Sequence, residues 1–236
     1  MMAISRLEGV LFWRGIPERD WRLDSTMVRR LRQKDRAGGL TERSVRYWET
    51  NLLQRARHRG FDIVGGGRLG DFELLALLRH HGAATRLVDF SRSVVVALWF
   101  AAFELPQSSG RLLGVHTEGV SGYEGEPIES DYGAVMQWSE RADLLTWSPP
   151  GLSPRIAAQH SQFLFSRTEE CGIGTLLLPY DDPTRVVALD FSPDLKPEIL
   201  KFLRSALDIG TQTMFPDLPG FADAYSVDPV ENPHRW

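Results

Sequence analysis

The sequence predicts an α+β fold, and three observations carry that prediction. Apolar residues in the first half recur at helical spacing, whereas the second half breaks into short alternating runs separated by turn residues. The composition, 42 % hydrophobic and 25 % charged over 236 residues, can fill one core. We therefore expect a single domain over residues 1–236, with a helical first half and a mixed, mainly antiparallel sheet.

Composition also narrows the function. A net charge of −4 gives no global basic field for collecting nucleic acid. The single cysteine, Cys171, excludes an internal disulfide framework and any cysteine-based metal cluster, and fits a reducing compartment. No charged-plus-apolar leader is visible and no apolar run approaches the length of a membrane span. A cytoplasmic protein with no membrane partner is expected.

In chain order, Val10–Gly15 reads as a short strand in which glycine lets the backbone bend, or approach a ligand, directly after Arg14. Residues 21–35 are a loop and then a basic stretch, the ordinary solvated face of a helix or, alternatively, a local phosphate or nucleic-acid contact. Thr41 opens a helix through about Arg59, with Val45, Trp48, Leu52 and Leu53 on its apolar stripe and Gly60 ending it. The glycine-rich segment 63–70 lacks the spacing of a phosphate loop and reads as a connector. Asp71 caps a helix over Phe72–His80, with Gly82 just past its end. In the second half, strands are expected at 111–116, 155–166, 176–178 and 185–190, and short apolar pieces at 135–138 and 144–147. A helix over Glu198–Leu207 and a final turn with a short helix follow.

The stretch Arg79–Phe103 is the focus of the chain. It places His80, His81, Thr85, Arg86, Asp89, Ser91 and Ser93 immediately before Val94–Phe103, the most apolar run in the sequence. Varied polar groups tied to a segment that must be buried point to the wall of a pocket. Asp89 and Ser91 are placed to cap the apolar helix, whose N-terminus is a ready anion site. An alternative use of the same residues is a buried Arg86–Asp89 ion pair that only fixes the fold. Two adjacent histidines do not point the same way, so no metal site is expected there.

Four separated pieces resemble one family. Phe12-Trp13-Arg14-Gly15 resembles the aromatic-Arg-Gly signature of FRG domains. His80-His81-Gly82 through Thr85-Arg86-Leu87-Val88-Asp89-Phe90-Ser91, followed by Ala97-Leu98-Trp99-Phe100-Ala101, is similar to the family's central pattern. Arg155-Ile156, Gln159 and Phe163 resemble its third motif, and Phe215-Pro216-Asp217-Leu218 with Gly220 its ending. The resemblance spans roughly residues 10–222. The chain departs from the pattern at Ala84, at Ser161 and at Arg79, where the family carries proline, glycine and glutamine. The first two loosen a turn and a strand bend; the third alters the edge of the pocket.

A weaker resemblance, to ADP-ribosyltransferases of the Arg–Ser–Glu type, rests on Arg14-Gly15, on Phe90-Ser91-Arg92-Ser93 before an apolar helix, and on a third strand. It implies NAD as substrate and an ADP-ribosyltransferase-like toxin or phage-defence effector. The acceptor would be a nucleic acid or a protein, and a cognate antitoxin or other partner protein is implied. Arg14, Gly15, Thr85, Arg86 and Ser91 would then bind the NAD, with no metal. Asp89, His80 and Gln159 would be catalytic, with Asp89, or alternatively Glu49 of the 41–59 helix, replacing the strand glutamate that stabilises positive charge on the ribose as nicotinamide leaves. Two other readings stand beside it: a non-catalytic module that senses a nucleotide, and, less favoured, a nuclease.

Overall fold

The structure, a computed structural model, describes residues 11–34, 40–118, 120–122, 131–138, 140, 143–151, 153–169 and 174–224. Cys171 therefore lies outside the described residues.

The fold is α+β, built on a seven-stranded sheet. Its strands are β1 (Leu11–Ile16), β4 (Val88–Ser91), β5 (Gly110–His116), β6 (Ser121–Gly122), β7 (Leu145–Trp147), β8 (Ser161–Phe165) and β9 (Val186–Phe191). The order is β6-β7-β8-β4-β1-β5-β9, antiparallel throughout except for β6 beside β7. β1 pairs with β5 along its whole length, Leu11 opposite His116 through Ile16 opposite Arg111. With β4 it shares a single register position, Trp13 opposite Ser91.

Strand alternation sends neighbouring residues to opposite faces. Phe12 and Ile16 join Phe90, Leu113, Val115 and Leu164 in one core. Trp13 packs on the other face against Ala97 of α4 (Val94–Phe103). α4 carries apolar residues all round because it is covered twice. Its inner side meets β1, and Val96 and Trp99 meet Leu203 of α7 (Leu195–Leu207). A further core joins Phe72 and Leu75 of α3 (Asp71–His80) to Trp147 and Phe165 and to Leu53 of α2 (Glu42–His58).

Local chemistry fixes the helix ends that matter for the site. α2 starts in a capping box, Thr41 with Ser44. α3 ends in a Schellman motif: the Gly82 N–H donates to Arg79 O at 2.8 Å and the Ala83 N–H to Leu78 O at 2.9 Å. Gly82 adopts the left-handed φ of +85° that this ending requires. His80 is thereby presented at the last helical position.

Several expectations are corrected. Segment 63–70 is a small hairpin, β2 (Ile63–Val64) with β3 (Gly67–Arg68), not a structureless connector. The buried stripe of α2 is Val45, Glu49, Leu53 and Ala56, and Trp48 faces outward. Residues 176–178 form no strand, although Leu176 and Leu178 are buried. The piece at 135–138 belongs to a helix, α5 (Tyr132–Trp138). The expected strand at 155–166 begins as a helix, α6 (Pro154–Ala158). Ser153 accepts from Ile156 N at 3.3 Å and Pro154 sits at the start, so the local N-terminal signal overrides the alternation. Helices α1 (Thr26–Lys34), α8 (Thr211–Met214) and α9 (Leu218–Ala224) complete the described chain. No helix among the described residues is long and apolar enough to cross a membrane.

Candidate functional site

A cleft of about 410 Å³ opens where β1, β4 and the start of β8 meet α3, α4 and α6. Its floor carries Arg14 and Gly15 from β1, and Asp89 and Ser91 from β4; His80, Gln159 and Ser161 line its walls. Trp13, Trp21, Phe100 and Phe215 supply flat apolar surface.

Arg14 sits where β1 and β4 share little ladder, and its guanidinium donates to the main-chain carbonyl of Asp89. Its Nε is buried without a hydrogen-bond partner. The Arg14 pKa is pushed down to about 10, by burial first; Asp89 acts the other way, and Arg79 and Arg29 add like-charge repulsion. Arg14 still carries its charge at neutral pH, in surroundings that favour an incoming anion.

Asp89 is held by Arg79. Arg79 Nε donates to one carboxylate oxygen at 2.8 Å, Arg79 Nη2 donates to the other, and Arg79 Nη1 reaches Thr26 Oγ1 at 2.9 Å. Desolvation works to raise the Asp89 pKa, but the Arg79 guanidinium outweighs it, with help from Arg14, and the carboxyl is held below its usual range. The Asp89 side chain nonetheless remains 56 % exposed to the cleft. Among the described residues, five arginines, Arg14, Arg22, Arg29, Arg79 and Arg155, line the cleft against two carboxylates, Asp89 and Glu104. A locally cationic pocket thus lies in a chain whose net charge is −4.

Ser91 and Gln159 shape the wall. Ser91 Oγ donates to Gln159 O at 2.8 Å and accepts from Ser93 N at 3.0 Å, so Ser91 turns the chain into α4. Ser93 is the N-cap residue, and Asp89, being in β4, caps nothing. Gln159 is the C-cap of α6 rather than a strand residue, and its Nε2 donates to Met214 O at 2.9 Å. His160 follows with φ of +47°, an uncommon conformation for a residue with a side chain, at the turn between Gln159 and β8.

Two sequence-predicted residues lie elsewhere. Arg86 is buried and pairs with Glu49 rather than Asp89: Nε donates to Glu49 Oε2 at 2.6 Å, Nη1 to Glu42 Oε1 at 3.0 Å and Nη2 to the Tyr132 hydroxyl at 2.7 Å. Burial lowers the Arg86 pKa, but Glu49, Tyr132 and Glu42 more than reverse this and it ends raised. Burial and Glu49 together push the Tyr132 phenol up. Thr85 is fully buried beside this network, and neither Thr85 nor Arg86 lines the cleft. Gly15 lines it, but its lack of a side chain admits α4: an added Cβ would lie 1.9 Å from Ala97 O. The sequence reading missed Arg79 as a site residue, although it stood out as a departure from the family pattern. It also missed Arg155 and Asp217, whose signal was membership of the third and last motifs.

Residues 10–109 match the family model of the FRG domain. Over that segment the chain is similar to FRG domains. The matched segment supplies Arg14, Arg79, His80, Asp89 and Ser91 to the cleft, whereas Arg155, Gln159 and Phe215 lie beyond it. No curated protein and no solved structure matches the chain.

Proposed function

We propose that this protein binds NAD in the cleft and transfers its ADP-ribose to a nucleic-acid or protein acceptor. The observation that carries the reading is the convergence of three adjacent strands on one cationic cleft. β1 brings Arg14, with an unpartnered buried Nε, β4 brings Asp89 and Ser91, and Gln159 precedes β8. In this reading Arg14 and Arg79 hold the diphosphate, and Arg79 takes the place expected for Arg86. The aromatic surface accepts the flat rings. Asp89, ionised and exposed to the cleft, faces the positive charge that grows on the ribose as the nicotinamide bond lengthens. Gln159 orients a ribose hydroxyl.

Consumption of NAD is the toxic or defensive act in this reading, so expression is expected to deplete cellular NAD and arrest growth unless Arg14 is replaced. The direct test incubates the full chain with NAD and cell lysate and measures free nicotinamide. Release that falls about 10²-fold in Arg14→Ala is expected. A specific observation favours a second reading, a nucleotide-sensing module: both Asp89 oxygens are already engaged by Arg79, which offsets the negative charge. NAD binding by calorimetry without any nicotinamide release in lysate would select the sensor and reject the transferase.

A further inference from the structure

We propose that Asp217 positions His80 as the base that takes the acceptor's proton, so that the acceptor is a hydroxyl or N–H group and not a carboxylate. This rests on the NAD reading above and names the substrate class of the same site. His80 closes α3 and lines the cleft. Its Nε2 lies 3.6 Å from Asp217 Oδ2, and both side chains are largely covered, 14 % and 13 % exposed.

The carboxylate is aimed. Asp217 Oδ1 accepts from Arg155 Nη2 at 2.7 Å and from Gly220 N at 2.9 Å, so Oδ1 is pinned by two donors from different segments. Oδ2 is buried, accepts no hydrogen bond, and is left facing the imidazole. The corner that carries Asp217 is itself fixed. Gln159 Nε2 holds Met214 O at 2.9 Å, and Phe215 lies under the Arg155 guanidinium at 4.7 Å and against Trp99 and Phe100. A separation of 3.6 Å is just beyond a hydrogen bond, and such catalytic contacts close when ligand fills the site.

An Nε2–H directed at Asp217 fixes the neutral tautomer and makes Nδ1 the basic nitrogen, which is how a carboxylate orients a histidine base. The groups facing His80 are Arg155 from α6, His81 beside it and Asp217 from the final corner. Burial, then Arg155 and His81, lower the His80 pKa below 6.5, and Asp217 only partly opposes them. His80 is thus unprotonated at neutral pH and ready to accept. In the transfer, the bond from ribose C1′ to the nicotinamide nitrogen breaks and its electron pair leaves with nicotinamide. A lone pair on the acceptor oxygen or nitrogen forms the new bond to C1′, and the acceptor's proton passes to His80 Nδ1 and then to solvent. A carboxylate acceptor has no proton to give and would leave this base idle.

The coupling is tested first without NAD, by NMR titration of the His80 imidazole in the full chain. Asp217→Asn should lower the His80 pKa; an unchanged titration overturns the positioning role. With NAD and lysate, His80→Gln should cut nicotinamide release about 10²-fold at unchanged KM and remove the acid limb of its pH profile. Asp217→Asn should move that limb to lower pH. If wild type releases nicotinamide and His80→Gln keeps its rate and profile, the base is overturned while the NAD reading stands. If wild type neither binds nor cleaves NAD, the NAD reading itself fails and takes this one with it. A labelled product released by neutral hydroxylamine as rapidly as an acyl ester, and not at the slower rate of a guanidine linkage, is an ester on a carboxylate and overturns the acceptor class.

Discussion

Gly15 lies so close beneath Ala97 that a Cβ on it would stand 1.9 Å from the Ala97 carbonyl oxygen and 2.5 Å from Ala101 N. Both are helix backbone, which cannot swing aside as a side chain can. Gly15 therefore sets how deeply α4 seats on β1, and with it the position of Ser91 and Asp89 at the helix entrance. Gly15→Ala is expected to destabilise by at least the 1–3 kcal/mol typical of overpacking, roughly 2–12 °C in melting temperature at this size. Calorimetry of the variant checks this; an unchanged melting temperature would show that α4 can ride up without cost.

Glu49 is the counter-charge to Arg86, and both are buried. Glu49→Ala leaves the guanidinium with only Glu42, Tyr132 and a carbonyl, and a loss of about 3–5 kcal/mol in denaturant unfolding is expected. Glu49→Leu combined with Arg86→Met should be less destabilised than Glu49→Ala, because no uncompensated charge remains.

Asp89 faces the cleft, so Asp89→Asn should fold normally by circular dichroism. Nicotinamide release should fall by about 10² or more, the scale expected for one lost charge-stabilising group. Full NAD consumption by a folded Asp89→Asn protein would remove Asp89 from the chemistry. Arg79→Gln, which frees both Asp89 oxygens, separates its two effects: ligand affinity should fall while the carboxyl pKa rises toward its ordinary range.

Acid should destabilise the fold. Arg79 outweighs burial at Asp89, Arg155 leads at Asp217 and Arg111 at Asp190, and all three carboxyls are held below the ordinary value of 3.8. Their contribution is complete above that ordinary value and is lost as pH falls through the lower folded values. His80 acts in the same sense: burial lowers its pKa, so its contribution is complete above 6.5 and lost as pH falls through its folded value. A melting temperature that stays flat from neutral pH to about pH 3 would contradict these shifts.

The fold class, α4 as the core helix and most element positions were legible because apolar periodicity and Gly, Pro and Ser/Thr punctuation agree locally. Arg14, His80, Asp89, Ser91 and Gln159 were legible as motif residues, and the structure gathers them around one cleft. The partners of the arginines were not legible. Arg86 is three residues from Asp89 in sequence, yet it pairs with Glu49, 37 residues away, because Thr85 and Arg86 turn toward α2 before β4 begins. Arg79, ten residues before Asp89, is brought to it by the reversal at Gly82. Pairing across a fold depends on which face each backbone segment presents, and spacing along the chain does not carry that.

The sheet order bears on what can be excised. Among the described residues between 10 and 109, the only sheet pairing of β1 is the single position Trp13 opposite Ser91. β5, which matches β1 over six positions, begins at Gly110, and β8, which matches β4 over four, begins at Ser161. A chain cut at 109 would hold the signature residues on two strands with almost no ladder between them, and with both outer edges bare. The segment by which the family is recognised is thus not a transplantable module: its signature residues are ordered by strands that the later sequence supplies.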